Sequence, residues 1–236
     1  MKTVLVTGSS RGLGLEFARQ YLERGDDVIA ACRKPENAKE LQELQSRYPS
    51  RLSPIPIDVT KQEDRNRAYG RIEKEFGVLD VLINNAGIIS GDERRLFSLG
   101  EIHKEDFSKV FLVNSISPLL MSEKFLPLLE RGYNSKIINV SSLNGCIAKR
   151  TQGGKYSYCA SKAALNMITK ILSNDLRKKG IMVLAIHPGW VKTDMGGPEA
   201  PQEKEETISM IIDLIEEIDF SYTGKFLDWR GIELPW

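Results

Sequence analysis

Short runs rich in Val, Ile and Leu alternate with segments of helical period along the whole chain, and this alternation constrains the fold more than any other feature. Runs at 4–8, 27–32, 52–58, 78–87, 135–142, 181–189 and 224–229 have the length and β-branched content of strands. Segments at 13–24, 36–47, 61–76, 104–131, 158–178 and 202–218 repeat apolar residues at helical spacing. Strands that are apolar throughout must be covered on both faces. A helix between nearly every pair gives parallel neighbours joined by right-handed crossovers. The pattern predicts an α/β protein, one domain over residues 1–236, built on a doubly wound parallel sheet of seven strands with helices on both faces.

Composition narrows the partners. Lys and Arg total 33 against 32 Asp and Glu, a formal charge of +1 that leaves no broad positive field for a phosphate backbone, so nucleic acid is not expected as a partner. No apolar run approaches the roughly 18 residues of a membrane span. The first run starts at once, so no leader is expected ahead of it. Three cysteines without a CxxC pair, and only two histidines, make no zinc set, so no metal is expected and a reducing cytoplasm fits best.

Local signals refine the helices. Thr60 and Glu63 have the spacing of a capping box, and Pro201 suits the first turn of the last helix. Ile208, Ile211, Ile212 and Ile215 form one apolar stripe, expected to face the core. Residues 196–206, rich in Gly, Pro and Glu, are either a flap over a pocket or a solvated loop. Asn139-Val140-Ser141 matches a glycosylation acceptor but falls in a strand expected to be buried.

Thr7-Gly8-Ser9-Ser10-Arg11-Gly12-Leu13-Gly14 joins the first run to the first helical segment. Glycines there permit a tight turn and let the backbone approach a pyrophosphate, while free N–H groups at a helix start favour an anion. Gly8, Ser10, Arg11, Gly12, Leu13 and Gly14 are therefore candidates to bind a dinucleotide, although their spacing is GxxxGxG and not GxGxxG. Sites for NAD usually place an acid about 20 residues further on to hold the ribose. Here the second run ends in Ala31-Cys32-Arg33-Lys34. Arg11, Arg33 and Lys34 would surround a 2′-phosphate, so NADP is expected over NAD, unless all three are ordinary solvated charges.

Tyr158 and Lys162 lie one helical turn apart and share a face. Chance alone gives about half a YxxxK match in a chain of this composition, so the pair acquires meaning only from its company. Asn84-Asn85-Ala86-Gly87 ends the fourth run, Ser141-Ser142 ends the fifth, and Asn114 lies in the long fourth helical segment. Strand ends are where doubly wound sheets hold ligands. Each residue also has an ordinary explanation: a surface aromatic, a solvated lysine, a strand-end cap, turn formers, and a hydrogen-bonder at a helix kink before Pro118.

Taken together, the glycine loop, Asn84 to Gly87, Asn114, Ser142, Tyr158-Cys159-Ala160-Ser161-Lys162 and Pro188-Gly189 resemble the short-chain dehydrogenase/reductase family over the whole chain, in family order. The segments at 161–166 and 187–195, with the ending Phe226-Leu227-Asp228-Trp229 through Pro235-Trp236, are similar to the branch of C-factor and Sniffer-like carbonyl reductases. The resemblance implies a Rossmann fold and a catalytic set of Asn114, Ser142, Tyr158 and Lys162. In that set Tyr158 is the acid or base, Ser142 holds the carbonyl, Lys162 binds the nicotinamide ribose and eases the Tyr158 proton, and Asn114 anchors a water leading to Lys162. It further implies that Asp58 and Val59 meet the adenine, that Asn84, Ala86 and Gly87 lie along the cofactor's ribose region, and that Pro188, Gly189, Val191 and Thr193 lie at the nicotinamide end. Trp190 and Met195 line the substrate pocket or simply pack.

Ser142 and Tyr158 are sixteen residues apart, more than the commonest family spacing, which implies an enlarged loop at 149–155. The function implied is NADPH-dependent reduction of an aldehyde or ketone, reversible as an alcohol dehydrogenase, by a homodimer or homotetramer associating through the long fourth helix and the helix of Tyr158. A cofactor-binding regulator of the C-factor type is the alternative, and a sugar-nucleotide epimerase or dehydratase the weaker rival. Moving a phenol from pKa about 10 toward 7 requires about 4 kcal/mol in favour of the phenolate, and an ammonium at about 4 Å supplies that order of energy, so Lys162 is expected to lower Tyr158.

Overall fold

The computed structural model describes residues 1–89 and 99–236. Seven parallel strands, β1 (Thr3–Thr7), β2 (Asp27–Cys32), β3 (Leu52–Pro56), β4 (Val81–Asn84), β5 (Lys136–Val140), β6 (Met182–His187) and β7 (Phe226–Asp228), form one sheet in the order β3-β2-β1-β4-β5-β6-β7. Successive strand residues point to opposite faces, and both faces are apolar. On β1, Val4 and Val6 enter the same core as Phe17, Tyr21, Leu22 and Leu41, whereas Leu5 enters the other with Ile72, Met121, Phe125 and Leu128.

The first face carries α1 (Gly12–Glu23), α2 (Lys39–Arg47) and α7 (Lys204–Glu217). The isoleucine stripe of α7 is fully buried there, as its spacing predicts. The second face carries α3 (Gln62–Glu75), α5 (Ser117–Leu129) and α6 (Tyr156–Asp175). The long fourth helical segment is α4 (Lys104–Phe111), a wide π-helical turn at Leu112–Ile116, and then α5. Pro118 has no N–H to donate to the Asn114 carbonyl, so regular α pairing fails there. The Ser117 amide and hydroxyl both turn to the Leu112 carbonyl instead, the hydroxyl at 2.7 Å.

Two expected helix starts are corrected. The capping box does not form: the Thr60 hydroxyl donates to Asp58 Oδ1 at 2.7 Å, and Lys61 stands ahead of α3 without a side-chain cap bond. Pro201 precedes the first turn of α7, because Gln202 is held extended by pairing with Trp190 and Lys192. Asn139 is buried between Asn84 and Thr169, consistent with setting aside the glycosylation match.

Both sheet margins are occupied or interrupted. Pro54 and Pro56 lie on edge strand β3, where a missing N–H is tolerated. Beside β7 the chain turns back: Asp228 N donates to Ile232 O at 2.9 Å and Leu234 N to Phe226 O at 2.7 Å. Trp236 then stacks on Phe226 at 5.7 Å, and Pro235 O accepts from the Cys146 thiol. No helix among the described residues is long and apolar enough to cross a membrane, and they contain no cluster of metal-ligating side chains.

Candidate active site

The strand order reverses between β1 and β4, and ligands of such sheets bind beyond the carboxyl ends of strands at that switch. The loop after β1 and the loop after β4 are clasped together there. Thr7 Oγ1 accepts the amides of Asn85 and Ala86, each at 3.0 Å, and the Asn85 side chain donates to Thr7 O at 2.9 Å. A methyl on Gly14 would meet Gly8 O at 2.3 Å, so loop and helix approach as only glycine permits. Gly8 and Gly12 have φ of +72° and +58°. Ser9 turns its hydroxyl back to Val6 O, leaving Ser10 as the more open hydroxyl of the loop.

The start of α1 fits an anionic group: no side chain caps it and its first turn carries no acid. Thr7 and Asn85, absent from the candidates, are what shape this loop. Their sequence signals were the first residue of the glycine motif and the doubled asparagine.

Asn84, expected along the cofactor, points elsewhere. Its amide nitrogen is turned inward and donates to Asn139 Oδ1 at 2.9 Å and Ser122 Oγ at 3.3 Å, while its Oδ1 is buried without a hydrogen-bond partner among the described residues. Of the three cations, Arg33 and Lys34 are exposed at the end of β2, and the Arg33 field reaches Asp58. Burial pushes the Asp58 carboxyl up, but Thr60's hydroxyl and amide, with Lys61 and Arg33, hold it below its ordinary value. Val59 O receives Arg65 Nη1 at 2.8 Å. Arg11 pairs with Asp194 at 3.1 Å.

That ion pair spans from the glycine loop to the segment after β6, and a methyl on Gly12 would lie 3.7 Å from Thr193. Pro188 and Val191 are buried, Gly189 has φ of +90° and packs against the Gln202 side chain, and Val191 bridges to Gln202. Residues 196–202 are thereby tied to 190–193, with Trp190 Nε1 donating to Gly196 O at 2.7 Å. Trp190 and Met195 are both about half exposed, at 55% and 48%, so neither packs in the core.

Asn114, Ser142, Tyr158 and Lys162 converge at the end of the β4 loop. A methyl on Gly87 would lie 3.5 Å from Asn114 Oδ1 and 3.8 Å from the Lys162 nitrogen. Asn114 takes the amide of Ile88 at 2.9 Å and donates to Ile88 O at 2.8 Å and Ser161 Oγ at 3.1 Å. Ser115 also bonds Ser161 O, so Ser161, another residue outside the candidates, stitches the π-helical turn to α6. Ser141 turns away to Asn166, which leaves Ser142 as the strand-end hydroxyl near Tyr158.

Lys162 is buried, donates to Val140 O at 2.7 Å, and burial lowers it to about 8. Its nitrogen is 5.9 Å from the centre of the Tyr158 ring. Contrary to the expectation that Lys162 lowers it, burial pushes the Tyr158 phenol up, against an opposing influence of the nearby Ser142 hydroxyl.

The sheet order and this grouping of Ser, Tyr and Lys beside a glycine loop define a nucleotide-dependent oxidoreductase, and comparison with known proteins agrees. Residues 2–204 match the family model described as short chain dehydrogenase, and the chain belongs to that family. C-signal of Myxococcus xanthus is 39% identical over 160 residues, 68% of this chain and 94% of its own length. The 1-hydroxy-2-glutathionyl-2-methyl-3-butene dehydrogenase of Rhodococcus sp. (strain AD45) is 32% identical over the full length of both. Among solved structures, NADPH-bound carbonyl reductase from chicken fatty liver is similar with TM-score 0.93 at 36% identity, covering 100% of this chain and 99% of that one. Carbonyl reductase Sniffer of D. melanogaster is similar with TM-score 0.94 at 32% identity, over 100% of both.

Proposed function

We propose that the 236 residues form one NADPH-binding unit that reduces an aldehyde or ketone to an alcohol. The observation that carries this reading is the grouping of the Tyr158 phenol near the Ser142 hydroxyl, with Lys162 one helical turn on, beside Gly87 and Asn114. Bound NADPH supplies the hydride. Tyr158 gives its proton to the carbonyl oxygen, for which a phenol kept protonated by burial is well suited. Ser142 donates to the same oxygen as charge develops on it. Lys162 binds the nicotinamide ribose and re-supplies the Tyr158 proton. The Asn114 side chain is spent on Ile88 and Ser161, so its part as a water anchor falls to its main-chain carbonyl, which Pro118 leaves free of an α-helical donor.

Gly8, Ser10, Gly12, Leu13 and Gly14 hold the pyrophosphate, Asp58 and Val59 the adenine, and Pro188 to Thr193 the nicotinamide end. Arg11, Arg33 and Lys34 select NADP, a reading supported by the NADPH in the chicken enzyme.

The test is NADPH oxidation against a panel of aldehydes and ketones. Tyr158→Phe should lose about 10²- to 10⁴-fold in kcat while still binding NADPH; undiminished turnover rejects Tyr158 as proton donor. Arg33→Ala should weaken NADPH by roughly tenfold, in the range of a charge-assisted contact, and leave NADH unchanged. Equal effects on both cofactors would remove Arg33 from selection. The likeness to C-signal favours a second reading, a nucleotide-binding regulator, which NADPH binding without turnover across the panel would support.

A further inference from the structure

The stretch between Ser142 and Tyr158, longer than the family's commonest spacing, contains hydrogen bonds that start at one of these side chains and end beside the other. Ser142 Oγ accepts the Asn144 amide at 3.1 Å. Asn144 Oδ1 accepts from Arg150 Nη1 at 3.0 Å. Nη2 of the same guanidinium donates to Gly153 O at 2.8 Å and Gly154 O at 3.1 Å. Gly154 and Lys155 both have positive φ, +75° and +51°, and swing the chain directly into α6, whose third residue is Tyr158.

Lys155 precedes α6 without a side-chain cap bond, so the left-handed turn that aims this helix is held from outside it. For a residue with a Cβ such a conformation persists only where neighbouring contacts impose it. The planar guanidinium fork on the two preceding carbonyls is such a contact. Arg150 is half-buried, and its charge is felt at Cys159, next to Tyr158, where with Lys155 it opposes the burial that pushes the thiol up.

Building on the reductase reading, we propose that Arg150 is a positioning residue for the reaction: by tying Asn144 to the carbonyls of Gly153 and Gly154, it holds the Ser142 hydroxyl in register with the Tyr158 phenol. The enlarged loop thus carries its own brace. A lysine at this position, with a point charge on a flexible stem, cannot span the three acceptors. When the brace is lost the Ser142 hydroxyl moves out of register with the phenol, and its opposition to the burial that pushes Tyr158 up weakens.

The experiment uses the full chain and whichever aldehyde or ketone of the panel the wild type reduces fastest. Arg150→Met should lower kcat about ten- to hundredfold, the size of a small misplacement of reacting groups. NADPH affinity, followed by fluorescence titration, should stay within about twofold, because the cofactor loop is elsewhere. Arg150→Lys should recover little of the loss. In Arg150→Ala, millimolar guanidinium should restore part of kcat, which a merely unfolded variant does not allow. In the alcohol-oxidising direction, the rise of rate with pH that reports the Tyr158 phenolate should move to higher pH.

Lys149→Met removes a neighbouring exposed cation outside the brace and should behave as wild type. Wild-type kcat and pH profile in Arg150→Met would overturn the proposal while leaving the reductase reading intact. A loss of kcat matched by a loss of NADPH affinity and untouched by guanidinium would also overturn it. Absence of turnover in the wild type would instead sink the reductase reading, and Arg150's role with it.

Discussion

His187 ends β6 with its ring edge against Trp229, at 6.0 Å between centroids, and its Nδ1 accepts the Gly189 amide at 3.3 Å. That bond requires an unprotonated nitrogen. Burial lowers this histidine to about 4, against a smaller opposing influence of Asp228. The sign follows from proton binding: between pH 4 and 6.5 the unfolded chain carries a proton here that the folded chain lacks. Stability is therefore undiminished above pH 6.5 and falls as pH is lowered toward 4, by about 3 kcal/mol from this group. Urea unfolding at pH 7 and pH 4.5 should show this loss, and His187→Asn should reduce it. An identical loss in the variant would assign the acid sensitivity to other groups.

Elements, more than residues, set how closely the glycine loop can approach its helix. In Gly14→Ala the new methyl collides with main chain at 2.3 Å and with the Asn85 amide at 2.5 Å, neither of which is the loose end of a flexible side chain. The loop must shift. The expected cost is about 1–3 kcal/mol, with NADPH binding weakened further, and thermal unfolding with and without NADPH measures both. A variant as stable as wild type with intact cofactor affinity would mean that the clasp to Asn85 yields.

The seven strands and their parallel arrangement were legible because most are apolar runs buried on both faces, with helical segments between nearly all of them. Helix ends were not, because they depend on which acceptor wins a hydroxyl: Thr60 is taken by Asp58, and the box with Glu63 never closes. In the candidate site, the nearness of Ser142, Tyr158, Lys162 and Asn114 to one another was readable from motif and position. The direction of Asn84 was readable too, from parity: it follows Leu82 by two on β4, and Leu82 belongs to the core beneath α5. What no spacing could reveal was the Lys162 to Val140 bond, the Arg11 to Asp194 pair or the fork of Arg150. These join segments distant in sequence or turn on side-chain rotamers.

At the scale of the whole molecule, Leu112 and Ile116 beside α5, and Met167 and Ile171 on α6, are exposed on neighbouring helices that Asn114, Ser115 and Ser161 hold together. Four large apolar side chains left open on one helix pair suit association with a second copy. We therefore expect a homo-oligomer joined there. Light scattering should give at least twice 26.6 kDa, and Met167→Glu with Ile171→Glu should reduce it to one chain. A wild-type mass of 26.6 kDa would refute it. The sheet itself is closed to such recruitment. With Leu234 occupying the outward carbonyl of the last strand and prolines breaking the opposite border, neither flank can template a stranger's backbone. Any assembly of this molecule is therefore expected to form through side chains and not by extension of its sheet.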